Sequence, residues 1–493
     1  MFAIVLIFCC VVYFVAYRVK RRLPSPPVFP GALPIIGHLN VIPRDPLNMW
    51  DWEKSVHEFS LKNDGVAEIR FGTHAIFIVT DPDDSLSIAN SCYSKPTIYD
   101  FAKEMYNRGL VTAGESTWKS HRKLLNPSFR QQVLNSLLDV FSEQAQTLVS
   151  NLEAEAGKHS FDVEPYLISH FINTASQTTL GLKTDDDSVI TKHYGPATKD
   201  LFEIYLDRFL KPWLHIQCLY KISNLKQKQD ALMKIISDIS IAIIKQRKTE
   251  QKQDRELNYG QLSTSENFKP LLDNLLDLAD TKDAFTDDEI KEHLNTMVTA
   301  AYDTTAKALY FIMILLGSHQ DVQTRIFQEL HEVLGADLAK DRKLTKHDLQ
   351  GLVYLEAVIK ESLRLYPPAP RIARYLDVDV KLKNYILPAG STGVISTHSI
   401  NRHPMWGADA DNFKPERWLD PASLPSNPNA FASFSLGRRN CIGKTYAMMA
   451  LKSTLVHICR QYHIICRTSH LQIRCQALQS PVSGQHLSIE TRK

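Results

Sequence analysis

The stretch Phe434-Ser-Leu-Gly437-Arg-Arg439-Asn-Cys441-Ile-Gly443 constrains what this chain can fold into more than any other feature. It stands directly ahead of a helical pattern running from Lys444 to Arg460. Gly437 permits a tight turn, Gly443 lets backbone come close to a bulky group, and the start of the following helix directs N–H groups and a positive dipole at Cys441. That setting favours the thiolate over the thiol, which is the form a metal ligand requires. A single cysteine is more often an inert buried residue. It is the fixed glycines, arginine and phenylalanine around Cys441 that point to a ligand.

The remaining cysteines give little to build on. The chain has 8 in all, without regular spacing, so a disulfide framework is not expected and a reducing compartment is. Lys+Arg 57 against Asp+Glu 54 leaves a formal net charge of +3, which excludes nucleic acid as a partner along the length of the chain. Residues 1–17 (MFAIVLIFCCVVYFVAY) carry no charge and are followed by Arg18, Lys20, Arg21 and Arg22. The charge comes after the apolar run and no small-residue cleavage site follows, so an uncleaved membrane anchor with its basic flank in the cytosol is expected, not a secretory signal. Residues 18–37 are basic and then rich in Pro and Gly (Pro24, Pro26, Pro27, Pro30, Gly31, Pro34, Gly37) and read as a stiff hinge. No repeat or composition break divides residues 38–493, which are expected to form one large domain.

Within that domain, alternation over Val66 to Phe71, the Gly72-Thr73 turn and the β-rich Ala75 to Val79 predict a hairpin. Helical periodicity dominates elsewhere: Gln132 to Leu152, Asp200 to Leu210, Lys226 to Arg247 and Glu289 to Leu316. Short strands are expected near Lys381 to Leu387 and Gly393 to Ser396. The polar run Lys245 to Asn267 is expected to be an exposed loop. The fold class is therefore mainly α with a minor β part. A zinc site from His457, Cys459, His463 and Cys466 fails on spacing, because no Cys-x-x-Cys pair is present.

Three further motifs precede the cysteine loop. Glu361-Ser-Leu-Arg364 lies in a helical stretch ended by Pro367-Pro368, and Pro415-Glu416-Arg417-Trp418 follows it. Thr286-Asp-Asp-Glu289 is a capping box opening a charge-poor helix that contains Ala300-Ala301-Tyr302-Asp303-Thr304-Thr305. On helical spacing Met297, Ala301, Thr304 and Ala308 share one face, whose small residues admit a flat group. Trp118-Lys-Ser-His-Arg122 completes the set. Taken one at a time, each has an ordinary reading: a surface ion pair, a threonine bonded to its own helix, solvated arginines.

Together, in this order, these pieces resemble the cytochrome P450 family, and the loop at 434–443 resembles its haem-binding loop. The resemblance implies a cytochrome P450 fold, a single large haem-enclosing domain behind an amino-terminal membrane anchor. It implies haem b with Cys441 as axial thiolate, in a loop that includes Phe434. Trp118, Arg122, Arg374 and Arg439 are implied as partners of the haem propionates, matching the fork of arginine to carboxylate. Asp303 and Thr304 are implied in proton delivery to bound oxygen, and Glu361, Arg364 and Arg417 in a buried structural triad. Ala301 stands where the family usually has glycine. Ala300 stands where some members attach haem through a glutamate, so that ester is not expected here.

GLVTAGESTWKSHRKLLNPSF and RLYPPAPRIAR look most like the animal family 4 group, including its insect members. The implied reaction is insertion of one oxygen atom from O2 into a hydrophobic small molecule: a fatty acid, a pheromone or odorant-type lipid, or a xenobiotic. No flavin or nicotinamide motif is present. Electrons are therefore expected from NADPH through NADPH–cytochrome P450 reductase, with cytochrome b5 as a possible second donor, at the endoplasmic reticulum membrane. Lys119, Arg122, Arg130, Arg438 and Lys444 offer a basic face for such an acidic partner. A haem-thiolate isomerase or dehydratase, which would need no Asp303-Thr304 pair, and a non-catalytic haem and ligand-binding protein remain as alternatives.

Overall fold

The charge-poor stretch after Thr286 forms the spine of the computed structural model, which describes residues 25–183, 188–257, 268–335, 342–466, 471–482 and 487–492. In chain order, α1 (Pro46–Lys62) precedes the hairpin β1 (Val66–Phe71) and β2 (His74–Val79) and then α2 (Pro82–Ser91). The helical body follows as α3 (Glu115–Leu125), α4 (Leu138–Leu152), α5 (Glu164–Ala175), α6 (Gly195–Leu210), α7 (Asn224–Leu257), α8 (Asp287–Ser318) and α9 (Val353–Leu365). Strands β3 (Ile372–Tyr375) and β4 (Thr392–Ile395) and the helix α10 (Lys444–Gln461) complete the frame. The expected membrane anchor, residues 1–17, lies outside the described residues, and among those described no helix is long and apolar enough to cross a membrane.

Helix α8 starts on the capping box: Thr286 accepts from the Glu289 N–H, and the Glu289 carboxylate accepts from the Thr286 N–H at 2.8 Å. It then runs apolar on every side through Leu309–Leu316, as a helix enclosed by others must. Helix α10 lies against α4, with Phe141 and Tyr446 edge to face at 5.1 Å. The four-stranded sheet has the order β1-β2-β4-β3, antiparallel except for the β2–β4 pair. Its register sets Arg374 opposite Gly393. Part of the Pro-rich segment lies along the sheet edge, where Phe29 N–H donates to the Glu68 carbonyl and His38 N–H to the Arg70 carbonyl, each at 2.8 Å.

Two expected boundaries differ. The helix expected from Gln132 to Leu152 is broken into Gln131–Asn135 and α4, with the Ser136 hydroxyl donating to the Val133 carbonyl at the break. The polar run expected to be a loop from Lys245 is helical to Leu257, and residues 258–267 lie outside the described ones. The reason is tertiary: the Arg247 fork clasps Asp273 with two 2.7 Å bonds, and Lys248 pairs with Asp287, so a charge-rich helix is tied to its neighbours.

Several imidazoles are buried in this frame. Burial holds His57 and His293 down at about 3, and His170 and His457 at about 4, against an ordinary 6.5. These groups stay neutral in the fold and take up protons when it opens, so the unfolded chain binds more protons below 6.5. Stability therefore falls with falling pH from about 6.5 down to about 4, each histidine adding a slope of about 1.4 kcal/mol per pH unit. Denaturant unfolding between pH 7 and 5 should show this decline, and a flat profile contradicts the burial of these rings.

Candidate haem site

The cysteine loop is built from backbone conformations that few residues adopt. Ser435 and Gly437 have φ of 66° and 68°. A Cβ on Gly437 would come within 2.8 Å of Asn90 Oδ1 and 3.1 Å of the Ala89 carbonyl, so the loop sits directly on α2. The turn closes where Cys441 N–H donates to the Phe434 carbonyl at 2.9 Å. Gly443 caps α10, and a Cβ there would meet nothing nearer than Cys441 Sγ at 3.9 Å, leaving a cradle open to a flat group. Cys441 is accessible although it lies deep in the fold. Burial raises its thiol, opposed by the Gly443 N–H and the charges of Arg122 and Lys444. The Gly443 N–H and these two charges act in the direction expected from sequence, towards the thiolate, and a bound cation would favour it further.

Beneath the loop lies the triad. Both Glu361 oxygens accept from Arg364 at 2.8 Å, and Arg417 Nε donates to Oε1 at 2.9 Å. Trp418 Nε1 and the Lys414 N–H complete the carboxylate's partners. All three charged side chains are at most 2% exposed. Burial pushes the Glu361 carboxyl up, yet the hydrogen bonds and charge of Arg364, with Arg417, hold it below the usual range. The triad reaches the loop through Asn401: Arg364 donates to its carbonyl, its side-chain oxygen accepts from Ala432 N–H, and its amide donates to Ser433, which bonds back to Leu363 of α9.

The cations expected around a dicarboxylate ligand converge on one region. Arg439 donates to the carbonyls of Tyr93, Leu110 and Ala113 and lies over the Trp118 ring at 5.2 Å. Burial, then Arg374, pulls Arg439 below its usual range. Arg374 is 1% exposed and donates to the Ala373 carbonyl. Trp118 Nε1, Arg374 Nε and Arg439 Nε are buried with no partner among the described residues. Three orphaned donors, two of them on crowded guanidiniums, fit an acceptor carrying negative charge, as a haem with its two propionates would. Arg122 differs: its fork is taken by the Asn440 carbonyl at 2.8 Å, the Asn440 side chain and Asn126, so it grips the residue before Cys441.

On α8, Ala300 is exposed after a run of buried residues, and Ala301, Asp303 and Thr304 are half-buried. Thr304 donates to the Ala300 carbonyl at 2.7 Å, and the Asp303 carboxylate pairs with Lys307. The family model described as Cytochrome P450 matches residues 26–486. The chain belongs to the cytochrome P450 family. Cytochrome P450 4g1 of Drosophila melanogaster is 28% identical, over 97% of this chain and 90% of that protein. Cytochrome P450 4V2 of Mus musculus is 30% identical, over 75% of this chain and 71% of that protein. The crystal structure of the cytochrome P450DA heme domain shares the fold, with a TM-score of 0.80 at 19% identity, covering 96% of this chain and 99% of that one. This cytochrome P450 is thus a family 4 member, a monooxygenase of the haem-thiolate class.

Two residues escaped the sequence reading. Lys95 lies over the Tyr99 ring at 4.4 Å, and burial with the charges of Arg374 and Arg439 pulls it well below the usual lysine range. Lys307 is the other; an Asp-x-x-x-Lys spacing in a helix was the one available signal. For the triad, Glu361→Gln keeps the shape and leaves Arg364 and Arg417 without a counter-charge. The expected cost is about 3–5 kcal/mol, with loss of haem uptake. Denaturant unfolding and haem content measure it, and a variant within about 1 kcal/mol of the parent contradicts the bracing role.

Proposed function

We propose that Cys441 supplies the axial thiolate of a haem whose propionates are held by Arg374, Arg439 and Trp118, with Lys95 close to both arginines and Arg122 and Phe434 fixing the loop. The observation that carries this reading is the set of buried donors Trp118 Nε1, Arg374 Nε and Arg439 Nε, without a partner among the described residues. When bound, a thiolate-ligated haem supplies O–O cleavage and an oxidant able to attack an unactivated C–H bond. The chain's own residues do the rest. Arg122 holds Asn440 and so sets the height of Cys441, and the small residues of α8 leave room for a flat ring. Asp303 and Thr304 carry protons inward, Thr304 Oγ1 keeping lone pairs free while its hydrogen bonds Ala300.

The substrate is proposed to be a hydrophobic small molecule, a fatty acid, pheromone or odorant-type lipid, or xenobiotic. Electrons come from NADPH through NADPH–cytochrome P450 reductase, with cytochrome b5 as a second donor. The exposed Lys119, Arg130, Arg438 and Lys444 suit that acidic partner. The seat is proposed to be the endoplasmic reticulum membrane. An exposed apolar face supports it: Leu33, Ile35 and Ile36 near the start of the described chain and Trp213, Ile216 and Ile222 after α6. The two parts meet where Phe71 stacks on Phe209 and His215.

The test is turnover of the full chain with reductase, NADPH and isotopically labelled O2 over a lipid and xenobiotic panel. One labelled oxygen per product molecule is expected. Thr304→Ala should divert most NADPH to peroxide at unchanged haem content. Product with unlabelled oxygen, or no NADPH-dependent product, contradicts the monooxygenase reading, and undisturbed coupling in Thr304→Ala removes that residue from proton delivery.

A further inference from the structure

Helix α8 carries four threonines, Thr296, Thr299, Thr304 and Thr305. Three of them donate to the carbonyl four residues back, the ordinary way a mid-helix hydroxyl is satisfied. Thr299 does not. It is 5% exposed, and its Oγ1 has no hydrogen-bond partner among the described residues. Two phenols share that condition: Tyr106, at the end of the short helix Lys103–Tyr106, and Tyr205 of α6, which are 3% and 9% exposed and whose Oη atoms likewise have none. Thr299 and Tyr205 both neighbour Tyr106, whose surroundings also include the phenols of Tyr194 and Tyr302. Tyr194 is accounted for, because it donates to the Asn295 side chain at 3.2 Å. A buried hydroxyl left unpaired is costly, so three of them in one neighbourhood point to a polar partner from outside the chain.

The charges near this cluster are already engaged. Glu292 accepts from the Asn107 side chain and the Arg108 N–H, each at 3.0 Å, and Glu104 accepts from Lys226 and Gln229. Arg208, whose charge reaches Tyr205, donates to the Leu214 carbonyl and to Gln217. It is also clamped between the rings of Phe101 and Tyr220, 4.1 and 3.6 Å from their centroids. A carboxylate buried among the three hydroxyls would therefore find donors and no free counter-charge, whereas a neutral oxygen would be satisfied by the donors alone. Thr299 precedes Thr304 by about 7.5 Å along the helix axis, a span that a short apolar chain covers.

We propose that Tyr106, Tyr205 and Thr299 form a specificity site that holds a neutral oxygen of the substrate, an alcohol or carbonyl group on an apolar chain, and so selects it over the free fatty acid. This rests on the monooxygenase reading above and narrows its substrate class. The three hydroxyls donate to the substrate's oxygen and take no part in making or breaking bonds. An analogue without that oxygen leaves them unpaired again, which is the source of the selection.

The test is calorimetric binding of 1-decanol, 2-decanone, decanoate and decane to the full-length holoenzyme, without turnover. The two neutral oxygenated probes should bind about tenfold more tightly than decane, and more tightly than decanoate. Thr299→Val and Tyr106→Phe each remove a hydroxyl and keep the shape. Each should weaken 1-decanol about fivefold and leave decane unchanged, and Thr299→Ser should keep the parent preference. Decanoate binding as tightly as 1-decanol overturns the proposal, and so does parity of decane with 1-decanol; both comparisons use the parent chain and need no variant. Equal weakening of all four probes in the Val and Phe variants makes these side chains packing groups and overturns it. Unchanged binding of 1-decanol in both variants assigns the hydroxyls to water and overturns it too. Selective binding in a chain that forms no product leaves this site standing and counts against the monooxygenase reading alone.

Discussion

The carboxylate of Glu361, shared between two buried guanidiniums, is the interaction on which the rest of this structure depends. A lone charge at that depth would be prohibitive, and one partner would leave a second guanidinium uncompensated. With Arg364 and Arg417 both in place, the remaining donors of Arg364 reach the carbonyls of Asn401, Ala410 and Asn412, ties that cross long stretches of sequence. Asn401 then passes the constraint to Ala432 and Ser433, and so to the loop that presents Cys441. The position of the thiol is thus set by a network several residues away and on other elements.

Around the opposite rim the electrostatics run the other way. Lys95, Arg374 and Arg439 repel one another, and burial disfavours each of them. Such an arrangement is unfavourable by itself and becomes favourable when a dianionic group is seated among them. Part of the stability of the folded chain is therefore linked to the ligand it holds. In the proposed reading the two halves of the site work together: a satisfied triad fixes the thiol's place, and the cation cluster would hold carboxylates.

Much of this was legible in the chain. The hairpin, α8 with its capping box and α10 after the glycine loop all follow from local patterns, and so does the spacing of Glu361 and Arg364, whose burial came only through the resemblance. The Arg417 partner and the propionate arginines came only through resemblance, because nothing local tells a buried arginine from a surface one. Lys95 was missed for the same reason: it meets Arg374 and Arg439 only through sheet register and loop closure. The helix extending to Leu257 was missed because its support, Asp273 and Asp287, comes from outside the window that local polarity reads.

The central claim is that Cys441, held by this network, is the iron's axial thiolate. The carbon monoxide difference spectrum of the reduced, full-length protein tests it most directly. A long-wavelength band of the thiolate type is predicted for the parent chain and for Cys459→Ala, whose sulfur is buried elsewhere, and its loss is predicted in Cys441→Ala. A parent spectrum without that band, or a band that survives in Cys441→Ala, would contradict the account.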